Sequence, residues 1–450
     1  MSRCLLPVSF LACCIAAPVA AQVPDGWAVI SYVGTGMANI PNGGLTLLHP
    51  RTKSSAQVTG LPIDLTGGAN DGIRRGAGSV YVDAEGDLWV GEVGPPGTSI
   101  ELFRLRLSGN AATVVSKTTV GSVAPSSLAA DWLGITGISV LRDGDVLFSV
   151  AGLQNSAPLN GARLARLSRT NGTVTPIPTA GVQGDIVASV ASRDGKFAYL
   201  HAVTNYGGRN PIVEVPLAGG TARTIFGAWV VHSMFVDAQG FLLITNSTYV
   251  LEIDPNTNAF RGLGGVFNAT TRGVVAAFGT GNPLVFASDT TSSSGGYWFT
   301  DRRTLQHTMI NYAGGDTVTD MAIRQAVQPY GTSTSGNRDY AVSRAFTATG
   351  LPLTGNGAFS FAVDSTVPQT AGFLTLCAAQ ASTRLLGVDV HVDLSRVVAL
   401  VPVLSNTPLT LPIPGSVPAP TAVFLQAFFD DIGAPQRIGA SEGLRIGVVR

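Results

Sequence analysis

One phrase recurs along the chain and limits what it can fold into: an apolar run, a turn built on Asp or Gly, and a second apolar run. It occupies residues 80–90 around Asp83, Gly86 and Asp87, residues 140–148 around Asp143 and Gly144, residues 192–199 around Asp194 and Gly195, and residues 235–243 around Asp237 and Gly240. A degenerate copy at 277–285 turns on Gly279, Gly281 and Asn282. Asp and Gly accept the backbone conformations that a tight connection between strands demands, so each copy predicts a β-hairpin. A second hairpin follows each first. Residues 101–105 run into Ser108, Gly109 and Asn110, 164–167 into Asn171 and Gly172, 212–215 into Gly219 and Gly220, 250–253 into Asp254, Pro255 and Asn256, and 297–300 into Asp301 and Arg302. Two hairpins make a four-stranded meander, and a meander returning every roughly 40 to 60 residues fits the blades of a β-propeller better than the coils of a solenoid.

The ends of the repeat supply the blade count. Residues 27–33, 44–48 and 56–59 read as the second, third and fourth strands of a blade whose first strand is missing, while 318–323 reads as a first strand with no successor. Joining the two closes a ring, which removes the sheet edges that would invite aggregation. The expected fold is therefore all-β, a six-bladed propeller over residues 22–328, closed by 318–326 pairing with the blade at 27–62. A seventh blade would need strands hidden in the loop at 154–160.

Composition agrees with a chain of short strands and turns. Charged residues make up 12% of it, against roughly 25% in an average soluble domain, while Gly numbers 54. Lys plus Arg equals Asp plus Glu at 28 each, so no electrostatic footprint for nucleic acid is present. Beyond the N-terminus, no stretch approaches the roughly 18 consecutive apolar residues of a membrane-spanning helix. At the N-terminus, Arg3 precedes an apolar run over residues 4–15, and Val19-Ala20-Ala21 precedes Gln22. This pattern is that of an export signal over residues 1–21, cleaved after Ala21. Leu11-Ala12-Cys13-Cys14 has the outline of a lipoprotein cleavage box, but the apolar run continues past it. Cys4, Cys13 and Cys14 leave with the signal, and the remaining Cys377 lies in a strand-like apolar run, where a buried, inert thiol is expected.

Past Tyr330 the repeat stops. Residues 329–337, rich in Ser, Thr and Gly, read as a linker, and 338–450 reads as short alternating strands separated by Pro and Gly turns, an antiparallel β-sandwich. Tyr330-Gly331-Thr332, Gly350-Leu351-Pro352 with Gly355-Asn356, and the ending carry a resemblance. That ending joins Leu425-Gln426 and Asp430-Asp431 with Ala434-Pro435, Ala440-Ser441, Gly443-Leu444 and Ile446. This stretch resembles a C-terminal module of secreted bacterial proteins, planctomycete ones especially. The resemblance implies export and surface attachment rather than a reaction. Relatives carry a cysteine just after the Tyr-Gly-Thr, where Ser333 and Thr334 stand here, so a disulfide of that kind is missing.

Propeller ligands bind where the innermost strands begin, around the central channel. The polar residues at those places are Asp71 with Arg74 and Arg75, Asp131 with Trp132, Asp185, His232 with Ser233, Arg272, and Asp320. Together they would form a mixed-charge funnel suited to a sugar, a peptide or a divalent cation. No cofactor is otherwise expected. A Gly-x-Ser-x-Gly elbow, a His-Glu-x-x-His helix, a phosphate loop and a Cys/His cluster are all missing from the sequence. Asp83–Asp87 and Asp143–Asp145 lack the ligand series of a calcium loop and read as turns. The run from Asp83 to Val90 is similar to phrases in propellers of the streptogramin-lyase and lactonase families. That resemblance implies an alternative in which His232, Asp185 and Asp320 act as acid, base or metal ligands. The first expectation is a monomeric, noncatalytic binding or scaffold protein, secreted, periplasmic or attached to the cell surface. It would present its channel face to an extracellular small molecule, carbohydrate or protein.

Overall fold

A computed structural model describes residues 22–450 apart from 35–42, 50–53, 67–74, 95–98, 123–131, 154–163, 205–207, 230, 238–239, 247–248, 266–270, 277–283, 290–295, 303, 312–316, 332, 334–344, 350–351, 353–354, 365–369, 418–420, 432–435 and 449–450. The segment read as an export signal lies outside the described residues. What is described is almost wholly β, as a chain of alternating apolar runs and tight turns requires.

The first meander pairs Thr317–Ile323 with Ala28–Gly34, then Gly44–Leu48, then Ser55–Gln57. Its innermost strand therefore comes from far along the chain, with Ala28 opposite Ile323 and Ser31 opposite Asp320. The next meanders are sequential. One runs from Arg75–Val82 to Ala111–Ser122 and another from Trp132–Val140 to Val174–Pro176. Then come Asp185–Ala191 to Arg223–Ala228, Met234–Val236 to Phe260–Gly265, and Thr271–Ala276 to His307–Asn311. Between neighbouring meanders lie separate apolar cores. Leu88 and Val90 pack toward the first meander, whereas Trp89 between them packs toward the third. Leu242 and Ile244 likewise face one neighbour and Leu243 the other. Successive strand residues point to opposite faces, so a sheet buried on both sides needs the unbroken apolar runs seen in the sequence. Each such side chain contributes about 1.5–3 kcal/mol on burial. These radially stacked meanders make the repeat body a β-propeller.

Nearly every innermost strand carries a bulge at a matching place: between Ala77 and Ser79, Ile135 and Gly137, Ile186 and Ala188, and Thr271 and Val274, with Thr319 skipped opposite Ser31 and Tyr32. A bulge bends its strand and re-aims the next side chain. The residues that follow are Ser79, Gly137, Ala188 and Asp320, with Ser233 and Gly273 in corresponding positions. All but Asp320 are small because space is short: a Cβ on Gly137 would lie 2.3 Å from Ser189 Oγ, and one on Gly273 2.4 Å from Met321 Cγ.

In the C-terminal region, a five-stranded sheet and a three-stranded sheet share one core. Phe359, Phe361 and Val363 meet Leu374, Val403, Leu425 and Leu444 there. A hairpin of Gln380–Leu385 and Val388–Val392 covers part of the larger sheet, enclosing Cys377 with Val388, Val390 and Ala440. Burial pushes the Cys377 thiol up to about 11. The linker expected from residue 329 begins inside a strand. Val327–Tyr330 pairs with Ile438–Gly447 as the edge of the five-stranded sheet, setting Pro329 opposite Leu444. Pro329 is tolerable because an edge strand leaves one side of its backbone unpaired. Val327 belongs to the C-terminal core and Ala326 accepts from Gly447 N–H, so this sheet is joined to the end of the repeat body without slack.

Candidate functional site

The innermost strands run from an upper end, where they begin, to a lower end, where hairpin turns carry the chain outward. The candidates named from sequence divide along this axis. Asp71, Arg74 and Asp131 lie outside the described residues. Arg75 and Trp132 open their strands and Arg272 is second in its own, which places all three backbones at the upper end. Asp185 opens the Asp185–Ala191 strand and is 3% exposed. His232 stands just before the Met234–Val236 strand, where its N–H and that of Ser233 both donate to Thr245 Oγ1 at 3.0 Å. Two aromatic side chains with substantial exposure lie beside it: Trp229, whose N–H donates to Asn246 Oδ1 at 2.9 Å, and Tyr249, paired with Asn246 across the strands.

Asp320 is different in kind. It sits mid-strand, and its carboxylate bridges strands that are distant in sequence. Ser79 Oγ donates to Oδ2 at 2.7 Å and Ser233 Oγ to Oδ1 at 2.7 Å, joined by the N–H groups of Met321 at 2.9 Å and Val80 at 3.3 Å. Gly273, lying between the Ser233 and Asp320 strands, has no side chain to obstruct that reach. Burial pushes the Asp320 carboxyl up to about 6, and the hydrogen bonds from Ser79 and Ser233 pull against that rise. Around this knot the channel wall is hydroxylic. Ser31 and Thr319 hydroxyls lie 3.0 Å apart, and Ser149 Oγ lies 2.9 Å from Thr136 Oγ1 and 2.7 Å from Ser189 Oγ.

This donor set does not suit a cation at Asp320. Two hydroxyls and two N–H groups already point the positive ends of their dipoles at the carboxylate, which fills its acceptor sites. The same saturation removes it as a free general base. Among the described residues, the acidic side chains that do converge are Asp83, Glu85 and Asp87 in the turn of the second meander, and guanidinium groups occupy their common space. Arg104 bridges all three, Arg106 grips Asp87 at 2.8 and 2.7 Å, and Arg169 reaches Glu85 at 3.2 Å. Trp89 Nε1 donates to Asp83 at 3.1 Å. The turn reading holds for this segment, with charge pairing added.

The lower end was not anticipated from sequence. There the C-terminal sheet docks through buried ions. Arg445 Nη1 and Nη2 donate to the two oxygens of Asp25 at 2.6 and 2.8 Å, Arg324 Nε lies 3.1 Å from the same carboxylate, and Arg142 pairs with Glu442. The available signal was a basic residue at the end of three innermost strands, Arg142, Arg193 and Arg324, where a turn alone needs none. Between this seam and Asp320 lies a cavity of about 200 Å³, lined by the lower halves of the innermost strands and by Gln325, Gln328 and Tyr330.

No family model and no curated protein matches the sequence. Among solved structures, a crystal structure of a nidogen/laminin complex is similar over 66% of this chain and 99% of that one, with 10% identity and a TM-score of 0.47. TolB from Acinetobacter baumannii covers 66% of each chain at 12% identity and a TM-score of 0.45. The periplasmic gluconolactonase of Pseudomonas aeruginosa covers 66% of this chain and 98% of its own, at 13% identity and a TM-score of 0.43.

Proposed function

We propose that this chain is an exported, noncatalytic binding or scaffold protein. In this reading residues 1–21 are a cleaved export signal, the six meanders are the blades of a closed propeller, and the C-terminal sheets are a β-sandwich seated beneath it. The upper face engages an extracellular small molecule, carbohydrate or protein. One observation carries the reading: the mid-strand carboxylate of Asp320 is saturated by Ser79, Ser233 and two N–H groups, while the lower end is covered by the C-terminal sheet. Approach is left to the upper face, where Trp229 and His232 supply an aromatic surface beside a polar rim. Exposed aromatic rings suit ligands with an apolar face and a polar edge.

A thermal-shift screen of residues 22–450 against oligosaccharides and divalent cations tests it, because a ligand that binds only the folded state raises the melting temperature. The expected result is stabilisation by an uncharged oligosaccharide, unaffected by EDTA and lost in Trp229→Ala. Cation-dependent turnover of a lactone, abolished by His232→Ala, would replace this reading with the lyase or lactonase alternative.

A further inference from the structure

Half of the highly exposed large apolar side chains among the described residues fall between Phe373 and Leu404, in the C-terminal sheets. Three of them share one surface. The strand Ala371–Cys377 lies between Ala422–Asp430 and Val397–Leu404, so Phe373 stands opposite Phe428 on one side and Pro402 on the other. Leu374, Val401, Val403 and Phe429 point into the core, and alternation therefore turns Phe373, Leu400, Pro402 and Leu404 outward together. Phe373 is 53% exposed, Leu400 60% and Leu404 45%. The hairpin of Gln380–Leu385 and Val388–Val392 packs on Phe424 and Phe428 of the same face and leaves these residues uncovered.

A partner could add to the edge of this sheet or lie on its face, and the backbone decides against the edge. Among the described residues, Val397–Leu404 has a neighbouring strand on one side only. Ser405 N–H donates to the Thr370 carbonyl at 3.0 Å, so Val403 and Val401 aim their backbone groups at that neighbour, while Leu400, Pro402 and Leu404 aim theirs at the open side. Pro402 has no N–H to offer there, and the Leu404 carbonyl already accepts from Thr407 N–H at 3.3 Å. An edge depleted in this way is a poor template for another strand. The face carries no such bar. No charged residue occurs between Arg396 and Asp430, and Asp430, two residues beyond Phe428 on the same face, is paired with Arg437 at 3.0 Å. Nothing on the patch selects an acidic or a basic partner, and nothing repels an identical surface.

We infer that this face is a dimerisation surface, packed against the same face of a second copy about a twofold axis. Phe373, Leu400, Pro402 and Leu404 present on the order of 400 Å² of apolar area, the level at which an exposed patch marks an interaction site. Two copies contribute about 800 Å², and an interface about two-thirds apolar then totals about 1,200 Å², the lower end of stable, specific contacts. A contact of that size fits a dimer that dissociates in the micromolar range. The dimer replaces the monomer expected from the sequence, and it leaves the upper face of the propeller free.

Sedimentation velocity of residues 22–450 from about 1 µM to about 200 µM tests the inference, since a micromolar dimer crosses from one chain to two within that range. Raising the salt should not weaken the association, because an uncharged contact is not screened. Leu400→Lys sets a charge on the patch and should weaken association at least about tenfold. The double variant Leu400→Thr with Leu404→Thr keeps residues suited to a strand and should act in the same direction, with a wild-type circular dichroism spectrum. Phe260→Ser, at an equally exposed apolar position on the fifth meander, should leave the dimer intact. The inference is overturned if the chain stays single at the highest concentration, if both patch variants associate as wild type does, or if Phe260→Ser abolishes the association. It is also overturned if a single chain binds vesicles of neutral phospholipid and Leu400→Lys removes that binding, which would assign the face to lipid.

Discussion

At the seam beneath the propeller, Asp25 is clasped by the guanidinium groups of Arg445 and Arg324, all three side chains being at most 4% exposed. At the centre of the channel, Asp320 is clasped by two serine hydroxyls and two N–H groups. Both carboxylates join parts of the chain that are remote in sequence, but one is neutralised by full charges and the other only by dipoles. Burial lowers Arg324 to about 10, with Arg445 adding repulsion, so the seam depends on Asp25 keeping its charge. Asp320 moves the opposite way from an ion-paired acid: its burial is incompletely offset, and its carboxyl rises to about 6. A full charge in the partner makes a joint that breaks when either member is removed. Dipolar partners make one that adjusts with pH.

The largest effect should come from breaking the seam. Asp25→Asn leaves two buried guanidinium groups without their carboxylate and should cost about 3–5 kcal/mol, measured by urea denaturation. A loss below about 1 kcal/mol would mean that the seam is solvated and the contrast with Asp320 is false.

At Asp320 the expected effect is a slope rather than a loss. The folded chain holds a proton between the unfolded carboxyl value of 3.8 and the folded value of about 6, where the unfolded chain has released it. The Asp320 contribution to stability therefore falls as pH rises through that window and is flat above it. Glu92, which burial raises to about 7, adds the same sign, while His201, lowered to about 4 by burial, opposes it. Subtracting the Asp320→Asn curve from wild type isolates the Asp320 share, about 3 kcal/mol across the window at roughly 1.4 kcal/mol per pH unit. Parallel curves would show that Asp320 titrates normally.

The smallest effect belongs to the exposed pair of Arg437 and Asp430, 3.0 Å apart and more than half exposed. Arg437→Ala should change stability by no more than about 0.5 kcal/mol. A larger change would mean that exposed pairs and the buried seam differ less than their burial suggests.

Much of the architecture was legible because it is written locally. Asp83, Gly86 and Asp87 make a turn wherever they occur, with Asp83 Oδ1 accepting from Asp87 N–H at 3.0 Å. Reading such turns in series located the strands of each meander. The upper-end candidates were legible only as positions: Arg75, Asp185 and His232 fall at the starts of innermost strands, but sequence order says nothing about which side chains meet. The lower cavity was not legible at all. Val327–Tyr330 read as the end of the repeat, yet its pairing with Ile438–Gly447 places Gln328 against the propeller's lower end.

By itself, then, the sequence determined the all-β class, the meander period and the turn chemistry, since each depends on residues a few positions apart. Only the tertiary structure decided that Asp320 meets Ser79 across 241 residues and that Arg445 meets Asp25 across 420. The physical reason is one of range. Backbone preference and alternation act between neighbours, whereas the neutralisation of a buried charge is settled by whichever donors the closed ring and its docked sheet bring within about 3 Å, the reach of a hydrogen bond.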